Sequence, residues 1–448
     1  MRDLPASVVG ETYTSTAGWD VLEQLVKIGN RHPGQEGEKE GATVIERAFE
    51  SLCLDTNVSE FEIPGWWRGE TVLELLEWSP TRTFDQQHQI LAHPCTEQCR
   101  IESRLVDVGH GTPEEFESAD IDGTIVLASS EDPSGYHRSI SGMEKYARAA
   151  QGGAKAFILQ THVSGALPPT GSNEPNLIPA LSVSREVGFH LVNYCKQPTP
   201  RVQLHIDSKI EPATSQNVEA TVGPDTEKQV LVTAHVDSHD INDGARDNGV
   251  GCAVVVEVAN QLLKLKDDLD TQVRFVTFGA EEIGLYGAYH WVETNDLDAV
   301  KCVINIDGAG GTSEIKLDHH IFEDVGEIIE RAIRENLSLP VERVDDTTGD
   351  AWAFAQQGTP AVTVRTVPEE DHVSFDPGRG WGHTHSDTID KLDRRDIRDL
   401  SIQVLASVVA LASEDVETIH RNSEEIRETI GEQREWLLRA IDRWPYEE

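Results

Sequence analysis

Residues 229–251 read QVLVTAHVDSHDINDGARDNGVG, and this stretch decides the fold. Residues 229–233 are apolar and β-branched, which predicts a buried strand, whereas residues 250–265 repeat apolar side chains with a helical period of about 3.6. His235, Asp237 and Asp247 lie between the predicted strand and the predicted helix. Because the active crevice of an open α/β sheet lies outside the carboxyl ends of its strands, this order predicts a functional site there.

Two further apolar strands end at ligand-type side chains in the same way. The strand predicted over residues 273–278 runs into Glu281 and Glu282, and the strand over 300–306 runs into Asp307. Helices are predicted at residues 285–294, 322–336 and 397–411, with another strand at 361–365. Apolar strands that alternate with helices predict a three-layer α/β/α fold around a mostly parallel, mixed sheet that is covered on both faces.

The composition restricts the partners and the location of the chain. It has 448 residues, of which 38% are hydrophobic, so more than one domain with a sizeable core is expected. Its 38 basic and 79 acidic side chains give a net charge of −41, which argues against nucleic acid and anionic membranes as partners. No apolar run reaches the roughly 18 residues of a membrane span, no secretory pattern is visible, and six cysteines are too few for a disulfide scaffold. We therefore expect a cytoplasmic protein.

The acidic residues are spread along the chain rather than collected in one tail. At molar salt the Debye length is about 3 Å, which screens most of the repulsion among these charges. We therefore hypothesise that the chain is a cytosolic protein of an extreme halophile. The alternative is an acidic protein from a source that does not live in high salt.

The segments at the strand ends supply a set of side chains that suits divalent metal ions. The set consists of His235, Asp247, Glu282, Asp307 and His383. The last of these stands in WGHTHSDT at residues 381–388, where His385 competes with it for the role. A catalytic zinc usually takes three protein ligands and water, so five ligands fit poorly around one ion. Two ions roughly 3.5–4 Å apart that share one bridging carboxylate can use all five.

Five short motifs, in this order and spacing, resemble those of a known family. They read His235-Val-Asp237-Ser238, Gly244-Ala-Arg-Asp247-Asn248, Gly279-Ala-Glu281-Glu282-Ile-Gly284-Leu285-Tyr-Gly287-Ala288, Asn305-Ile-Asp307 and His383-Thr384-His-Ser-Asp387-Thr388. The family is that of the dizinc aminopeptidases, the M28-type metallopeptidases of clan MH, which are related to glutamate carboxypeptidase and the transferrin receptor. One residue departs from the family pattern, because Ala280 stands between Gly279 and the glutamate pair.

The resemblance implies that the cofactors are two divalent metal ions, with zinc in first place and cobalt or manganese as alternatives. One ion would be bound by His235 and Asp307, the other by Glu282 and His383, and Asp247 would bridge the two. In relatives the peptide bond after the bridging aspartate is cis. We therefore expect a cis bond between Asp247 and Asn248.

The same resemblance assigns the side chains that act on protons. Glu281, the first glutamate of the pair, would be the general base, and Asp237 would hold the second ring nitrogen of His235. Some relatives carry a tyrosine before the last histidine of the motif, where it is thought to help bind the oxyanion. Gly382 stands at that position here, so the resemblance leaves the oxyanion donor unassigned.

The middle of the chain resembles a protease-associated domain inserted in such peptidases, on the strength of GAKAFI at residues 153–158 and IPALSV at 178–183. Strands predicted at 124–128, 156–160 and 180–183 and helices at 143–151 and 186–194 make this insert smaller and β-rich. We predict that residues 1–66 and 208–415 form the zinc-peptidase catalytic domain, 67–207 the insert, and 416–448 a helical tail. The apolar stripe of the tail, with Ile419, Ile426 and Ile430, leaves a homodimer contact open.

The predicted function is that of a metal-dependent exopeptidase acting on peptide substrates, most simply an aminopeptidase. A carboxypeptidase or dipeptidase is the close alternative, and it would need an arginine for the substrate carboxylate, with Arg246, Arg365 and Arg379 as candidates. A glutaminyl-cyclase-like transferase and a non-catalytic, receptor-like binding protein are further alternatives. The remaining histidines that we expect to be surface or packing residues are His239, His290, His319, His320 and His372.

Overall fold

The computed structural model describes residues 4–76, 81–86, 88–171, 176–345, 348–367, 379–413 and 415–446, so His372 lies outside the described residues. The strands in chain order are β1 (Thr56–Trp67), β2 (Thr71–Leu75), β3 (Arg82–Asp85), β4 (Ile90–Ala92), β5 (Cys99–Asp107), β6 (Ile125–Ser129), β7 (Ala156–Gln160), β8 (Ala180–Val183), β9 (Arg201–Ile206), β10 (Lys209–Val222), β11 (Gln229–His235), β12 (Gln272–Phe278), β13 (Val300–Ile306), β14 (Ile315–Asp318), β15 (Val341–Val344) and β16 (Ala361–Thr366).

The helices in chain order are α1 (Ala6–Thr14), α2 (Ala17–Ile28), α3 (Glu36–Ser51), α4 (Pro113–Ser118), α5 (Gly142–Gln151), α6 (Arg185–Tyr194), α7 (Val250–Leu262), α8 (Tyr286–Thr294), α9 (Glu323–Leu337), α10 (Asp350–Ala355), α11 (Arg394–Leu411), α12 (Ser423–Thr429) and α13 (Glu432–Ala440). The helix predicted to reach residue 265 ends at Leu262 and continues as a tighter turn over Leu263–Asp268.

The strands form two eight-stranded sheets, and the first of these orders its strands β1-β10-β12-β11-β13-β16-β14-β15. Its four central strands, β12, β11, β13 and β16, run parallel, whereas β10 pairs antiparallel with both β1 and β12 and β14 pairs antiparallel with β16. The edge strand β15 pairs parallel with β14. Parallel strands place their carboxyl ends at one edge. The predicted mixed, mostly parallel α/β sheet is therefore confirmed, and its central edge collects the segments that follow β11, β12 and β13.

Helices cover the first sheet and also pack against one another. The residues of α7 from Val250 to Ala259 are all buried, because α7 contacts β11, β12 and β13 and is itself contacted by α2, α3 and α11. A helix that is apolar on every side is stable only in such surroundings. Likewise, all residues of β13 are buried, which explains why its sequence is apolar except at Lys301 and Asn305.

The second sheet has the strand order β3-β2-β9-β5-β6-β7-β8-β4. The chain enters it between Trp67 and Thr71 and returns to the first sheet between Ile206 and Lys209. Its apolar side chains form two clusters that are separate from the core of the first sheet. One cluster lies on each face of β6 and β7, because alternate residues of these strands belong to different clusters. The insert thus has a core of its own.

The tail is less regular than the continuous helical stretch expected from its sequence. Its helix α12 begins only after Asn422, which caps it with a side-chain hydrogen bond, and Ile430 and Gly431 separate α12 from α13. Ile426 is fully buried in the main core, whereas Ile419 is exposed. The expected single apolar stripe is therefore wrong, because the chain turns between its members. A homodimer contact through the tail stays a prediction.

No helix within the described ranges is long and apolar enough to cross a membrane. The six cysteines are all free thiols, as expected from their sparse spacing.

Candidate metal centre

The predicted ligands converge at the carboxyl edge of the first sheet. His235 is the last residue of β11, Asp307 follows β13 directly, and Glu282 lies in the turn after β12. Asp247 lies in the turn before α7, and His383 comes from a loop more than a hundred residues further along the chain. All but Asp307 are buried.

Asp247 stands in the middle of this cluster and offers one carboxylate oxygen to each side. Its Oδ1 lies 3.2 Å from His235 Nε2, and its Oδ2 lies 3.4 Å from His383 Nε2. On the outer sides, Asp307 Oδ1 is 3.6 Å from His235 Nε2, and Glu282 Oε2 is 3.2 Å from His383 Nε2. Two donors bound tetrahedrally to one zinc at about 2.0–2.1 Å lie roughly 3.3–3.4 Å apart, so these separations fit two ions bridged by Asp247.

Three overlapping groups among the described residues could each hold a metal ion. Their members are His235 with Asp247 and Glu282, His235 with Glu281 and Asp307, and His239 with Glu282 and His383. His239, which we expected to be a surface or packing residue, is buried and belongs to one of these groups. Its side chain is 1% exposed, and its Nε2 lies 3.0 Å from Glu282 Oε2. Its position in the loop that leaves β11, four residues after His235, is the one sequence signal that could have indicated this.

Buried side chains fix the turn that carries the glutamate pair. Four consecutive backbone N–H groups donate to them: Gly279 to Asn217 Oδ1 (3.1 Å), Ala280 to Glu38 Oε1 (2.9 Å), Glu281 to Asp237 Oδ1 (3.1 Å) and Glu282 to Asp237 Oδ2 (3.0 Å). Ala280 adopts a positive φ of 54° within this turn. The sequence analysis missed Asn217 and Glu38, because they come from distant strands and helices.

Asp237 also faces His235, as the resemblance implies. The Nδ1 atom of His235 lies 3.5 Å from Asp237 Oδ1 and 3.2 Å from the backbone carbonyl oxygen of Asp237. The carbonyl is thus the nearer acceptor, while both carboxylate oxygens bind the glutamate turn. Asp237 links the first histidine to the glutamate pair.

Two other charged side chains hold the segment around Asp247. Asp387 accepts the backbone N–H groups of Arg246 (2.7 Å) and Asp247 (3.0 Å). Arg31 is fully buried and donates to the backbone carbonyls of residues 25, 236, 243 and 244. The bond between Asp247 and Asn248 is cis, as expected.

The two adjacent glutamates have pKa values shifted in opposite directions, because their charged neighbours differ. It raises the pKa of Glu281 well above its usual range, and the carboxylate of Asp307 raises it further against the opposing effect of His235. Burial acts in the same direction on Glu282, but the facing rings of His239 and His383 hold its pKa well below the usual range. Glu281 is thus suited to accept a proton and Glu282 to remain charged.

Asp350, which the sequence analysis did not single out, lies beside the same cluster. It is the first residue of α10, it is fully buried, and neither of its carboxylate oxygens has a hydrogen-bond partner. Burial and the nearby carboxylates, including Asp237 and Asp307, raise its pKa well above the usual range. Buried charges in proteins are paired or coordinate metals, so this excess of carboxylates fits a centre that binds divalent cations.

Comparison with known proteins agrees with this arrangement. Residues 217–408 match peptidase family M28, and residues 92–191 match the PA domain. The chain contains an M28 peptidase domain with an inserted PA domain. It is similar to aminopeptidase YwaD from Bacillus subtilis, with 29% identity over 427 residues that span 91% of this chain and 85% of the relative. The probable lipoprotein aminopeptidase LpqL from Mycobacterium tuberculosis is 28% identical over 351 residues, 66% of this chain and 67% of LpqL.

Solved structures of relatives share this architecture. BSAP, a zinc aminopeptidase from Bacillus subtilis, matches with a TM-score of 0.69 and 26% identity, covering 88% of this chain and 94% of BSAP. A peptidase M28 precursor from Shewanella amazonensis shares the fold with a TM-score of 0.73 at 22% identity, over 92% of this chain and 97% of that one. The expectations of an M28-type hydrolase, an inserted PA domain and a divalent-metal centre are confirmed. The role of each individual site residue stays a prediction.

A cavity of about 430 Å³ lies between the M28 domain and the PA domain and reaches His383. Most of its lining comes from the PA domain, with the apolar side chains of Met143, Tyr146 and Phe157 beside the acidic Glu131. The two domains are also joined at this cavity by a backbone hydrogen bond from Thr170 to the carbonyl of His383 (2.8 Å). Whatever occupies the cavity contacts both domains.

The three arginines considered for a substrate carboxylate occupy different places in the M28 domain. Arg246 is buried and donates to the backbone carbonyls of residues 308, 310 and 366, and Arg365 pairs with Asp318 at 2.5 Å. Arg379 lines the cavity, with its Nη1 2.7 Å from His383 Nε2 and 3.6 Å from Asp247 Oδ2. Of the three, Arg379 is the one that lines the cavity.

Proposed function

We propose that this chain is a two-metal aminopeptidase that releases residues from the N-terminus of peptides. The observation that carries the proposal is the central carboxylate of Asp247, whose two oxygens face His235 on one side and His383 on the other. That arrangement is what a pair of bridged metal ions requires. The similarity over 91% of the chain to a protein named an aminopeptidase supports the reaction class.

In this proposal the ligands divide as the motif resemblance implies. His235 and Asp307 would hold one ion, Glu282 and His383 would hold the other, and Asp247 would be shared by both. Zinc, named for the relative BSAP, suits this set of imidazoles and carboxylates. When bound, the two ions supply Lewis acidity that polarises the scissile carbonyl and lowers the pKa of the attacking water.

The protein's own side chains move the proton. Glu281 lies beside His235 and Asp307, and burial raises its pKa, which makes its carboxylate a stronger base. It accepts the proton of the attacking water and passes it to the nitrogen of the departing amine. Asp237 keeps Glu281 in place through the backbone N–H of that residue.

The charge of the site supports recognition of a substrate ammonium group. The carboxylates of Glu281 and Asp307 lie within 4.8 Å of each other, and both side chains are only partly buried. Carboxylates of this kind attract the positively charged N-terminus of a peptide. Arg379 in the cavity favours the second candidate, a carboxypeptidase or dipeptidase that binds the C-terminal carboxylate.

Hydrolysis of three matched peptides distinguishes these candidates: one with free ends, one N-acetylated and one C-amidated. The aminopeptidase proposal predicts that acetylation abolishes cleavage and amidation leaves it nearly unchanged. A carboxypeptidase shows the reverse pattern, and a dipeptidase cleaves only short peptides with both ends free.

A cytoplasmic location remains a proposal, supported by the acidic composition that suits a salt-rich cytosol. The relative LpqL is named a lipoprotein, which makes the cell envelope the alternative. Fractionation of the source cells decides between them: recovery of the protein with the membranes would contradict the proposal.

A further inference from the structure

His239 is buried beside Glu282 and His383, the predicted ligands of the second ion. None of the five motifs assigns a role to it. It lies in the loop after β11, its side chain is 1% exposed, and its Nε2 is 3.0 Å from Glu282 Oε2. Its ring stands edge-on to the ring of His383, with centroids 4.2 Å apart. The donor atoms of His239, Glu282 and His383 lie within 4.8 Å of one another.

The contact between His239 and Glu282 is close but is not a hydrogen bond. Neither ring nitrogen of His239 has a hydrogen-bond partner among the described residues, and Glu282 Oε1 also has none. A buried imidazole that served only packing would have its nitrogens satisfied. Two donor atoms that approach each other without a shared hydrogen are instead typical of ligands aimed at one cation.

The third member of the group supports the same interpretation. The Nε2 atom of His383 is contacted by Arg379 Nη1 at 2.7 Å, so this nitrogen already has a competing partner. His239 offers a nitrogen without such competition on the same side of Glu282. A metal on this side therefore has a donor in His239 that does not depend on the position of Arg379.

We propose that His239 is a ligand of the second metal ion, together with Glu282, His383 and the bridging Asp247. The inference rests on the two-metal site of the proposed function. It gives the second ion four protein donors, the number typical of closed structural zinc sites. The first ion keeps three, from His235, Asp307 and Asp247, as in catalytic sites that leave a position open.

This difference in donor number predicts that the two ions differ in affinity. The second ion is held more tightly, and the first exchanges more easily and offers the position at which water and substrate bind. Removal of His239 should therefore weaken the tighter of the two binding events and leave the weaker one unchanged.

Zinc titration of the metal-free full-length protein against a chromophoric chelator tests the inference. The wild type should bind two ions, one more tightly than the other. His239→Ala and His239→Gln should each weaken the tighter event by more than about 100-fold, beyond the 10–100-fold typical of residues that only orient a ligand. His385→Ala is the matched control, because His385 is a half-buried histidine of the same region, and it should change neither affinity.

Cobalt absorption and thermal unfolding complete the test. The visible spectrum of the cobalt-loaded protein should change in both His239 variants, because a nitrogen donor is lost, and their metal-free melting temperatures should stay near the wild-type value. Unchanged affinities and spectra in folded variants would overturn the inference, as would a loss below 100-fold with an unchanged spectrum. If the His239 variants give either of these results while the wild type binds two ions, the proposed function stands and only the role of His239 is overturned. A wild type that binds fewer than two ions contradicts the proposed function itself.

Discussion

At the scale of single residues, the catalytic proposal depends on which of two adjacent glutamates faces the metals. Their backbone N–H groups are held by the two oxygens of one carboxylate, Asp237, so their positions are fixed relative to each other. Glu282 approaches the rings of His239 and His383, whereas Glu281 lies with His235. Neighbouring positions thus have different surroundings and different pKa directions.

Replacing each glutamate by glutamine separates these roles. Glu281→Gln keeps the shape of the side chain but removes its basicity, so kcat should fall by at least about 10²–10⁴-fold while two metal ions stay bound. Glu282→Gln should instead lose one ion, with activity partly restored at high zinc concentration. Steady-state kinetics and metal analysis on the same samples measure both effects. If Glu281→Gln loses metal and Glu282→Gln keeps both ions, the two roles must be exchanged.

How far these residues could be predicted depends on what locates them. His235 and Asp307 were predictable, because they end apolar strands whose carboxyl ends must meet at one edge. Glu38 was not, since its partner is a backbone N–H 242 positions away, and no local pattern encodes that contact. His239 had only its position four residues after His235 as a signal, and a loop sequence without periodicity does not show which side chains point inward.

At the scale of elements, the conformation of the turn between β12 and α8 matters most, because this turn positions the glutamate pair. Glu38 reaches it from α3, accepting hydrogen bonds from Ala280 N (2.9 Å), from Ser215 Oγ (2.7 Å) and from Gly34 N (2.7 Å). Burial raises the pKa of Glu38 from its usual 4.5 to about 8, and the charge of Asp237 adds to this effect, although the hydrogen bonds oppose it. The turn is thus supported by a carboxyl group that titrates in the neutral range.

This raised pKa makes the stability of the turn depend on pH. Glu38 binds its proton more tightly in the folded state, because its pKa is higher there. The bound proton therefore stabilises the folded protein, and this contribution is lost as the pH rises from about 4.5 towards 8. Glu38→Gln cannot lose a proton, and it should cost about 1–3 kcal/mol near pH 5, where the N–H of Gly34 loses its acceptor. Relative to the wild type, the variant should therefore gain stability between pH 5 and 8.

Urea unfolding of the metal-free wild type and variant at several pH values measures this difference. Metal-free protein is used so that proton release on metal binding does not contribute. A difference in unfolding free energy that stays constant from pH 5 to 8 would show that Glu38 does not titrate in this range.

Elements differed in how clearly the sequence showed them. β13 is buried along its whole length, and its apolar run gave its bounds correctly. The long strand β10 was not predicted, because its first half is largely exposed and its sequence there is polar. Burial on both faces, rather than strand formation as such, is what an apolar run reports.

At the scale of the whole molecule, the chain combines two sheets with separate cores and a strongly acidic composition. The tail connects the two parts, since α13 contacts α5 of the PA domain and the guanidinium of Arg148 lies 4.1 Å from the ring centroid of Trp436. The sequence could not show this contact, because it joins segments that no shared motif relates. The cavity of about 430 Å³ is lined by residues of both parts, so its shape depends on their relative position.

The net charge of −41 predicts that stability depends strongly on salt. The Debye length falls from about 30 Å at 10 mM to about 3 Å at 1 M, so added salt should relieve the repulsion and raise the melting temperature. Thermal unfolding in potassium chloride from 10 mM to 2 M measures the effect, and sucrose controls for stabilisation by excluded solutes. Full stability and activity at 10 mM salt would contradict the halophilic hypothesis.

The central claim is that Asp247 bridges two metal ions, and metal analysis of three purified proteins tests it most directly. The wild type should carry two ions per chain, and His383→Ala, which removes a ligand of one ion only, should keep at least one. Asp247→Ala removes a donor from both ions, so it should carry fewer ions than His383→Ala at the same free zinc concentration. Two ions per chain in folded Asp247→Ala would contradict the account.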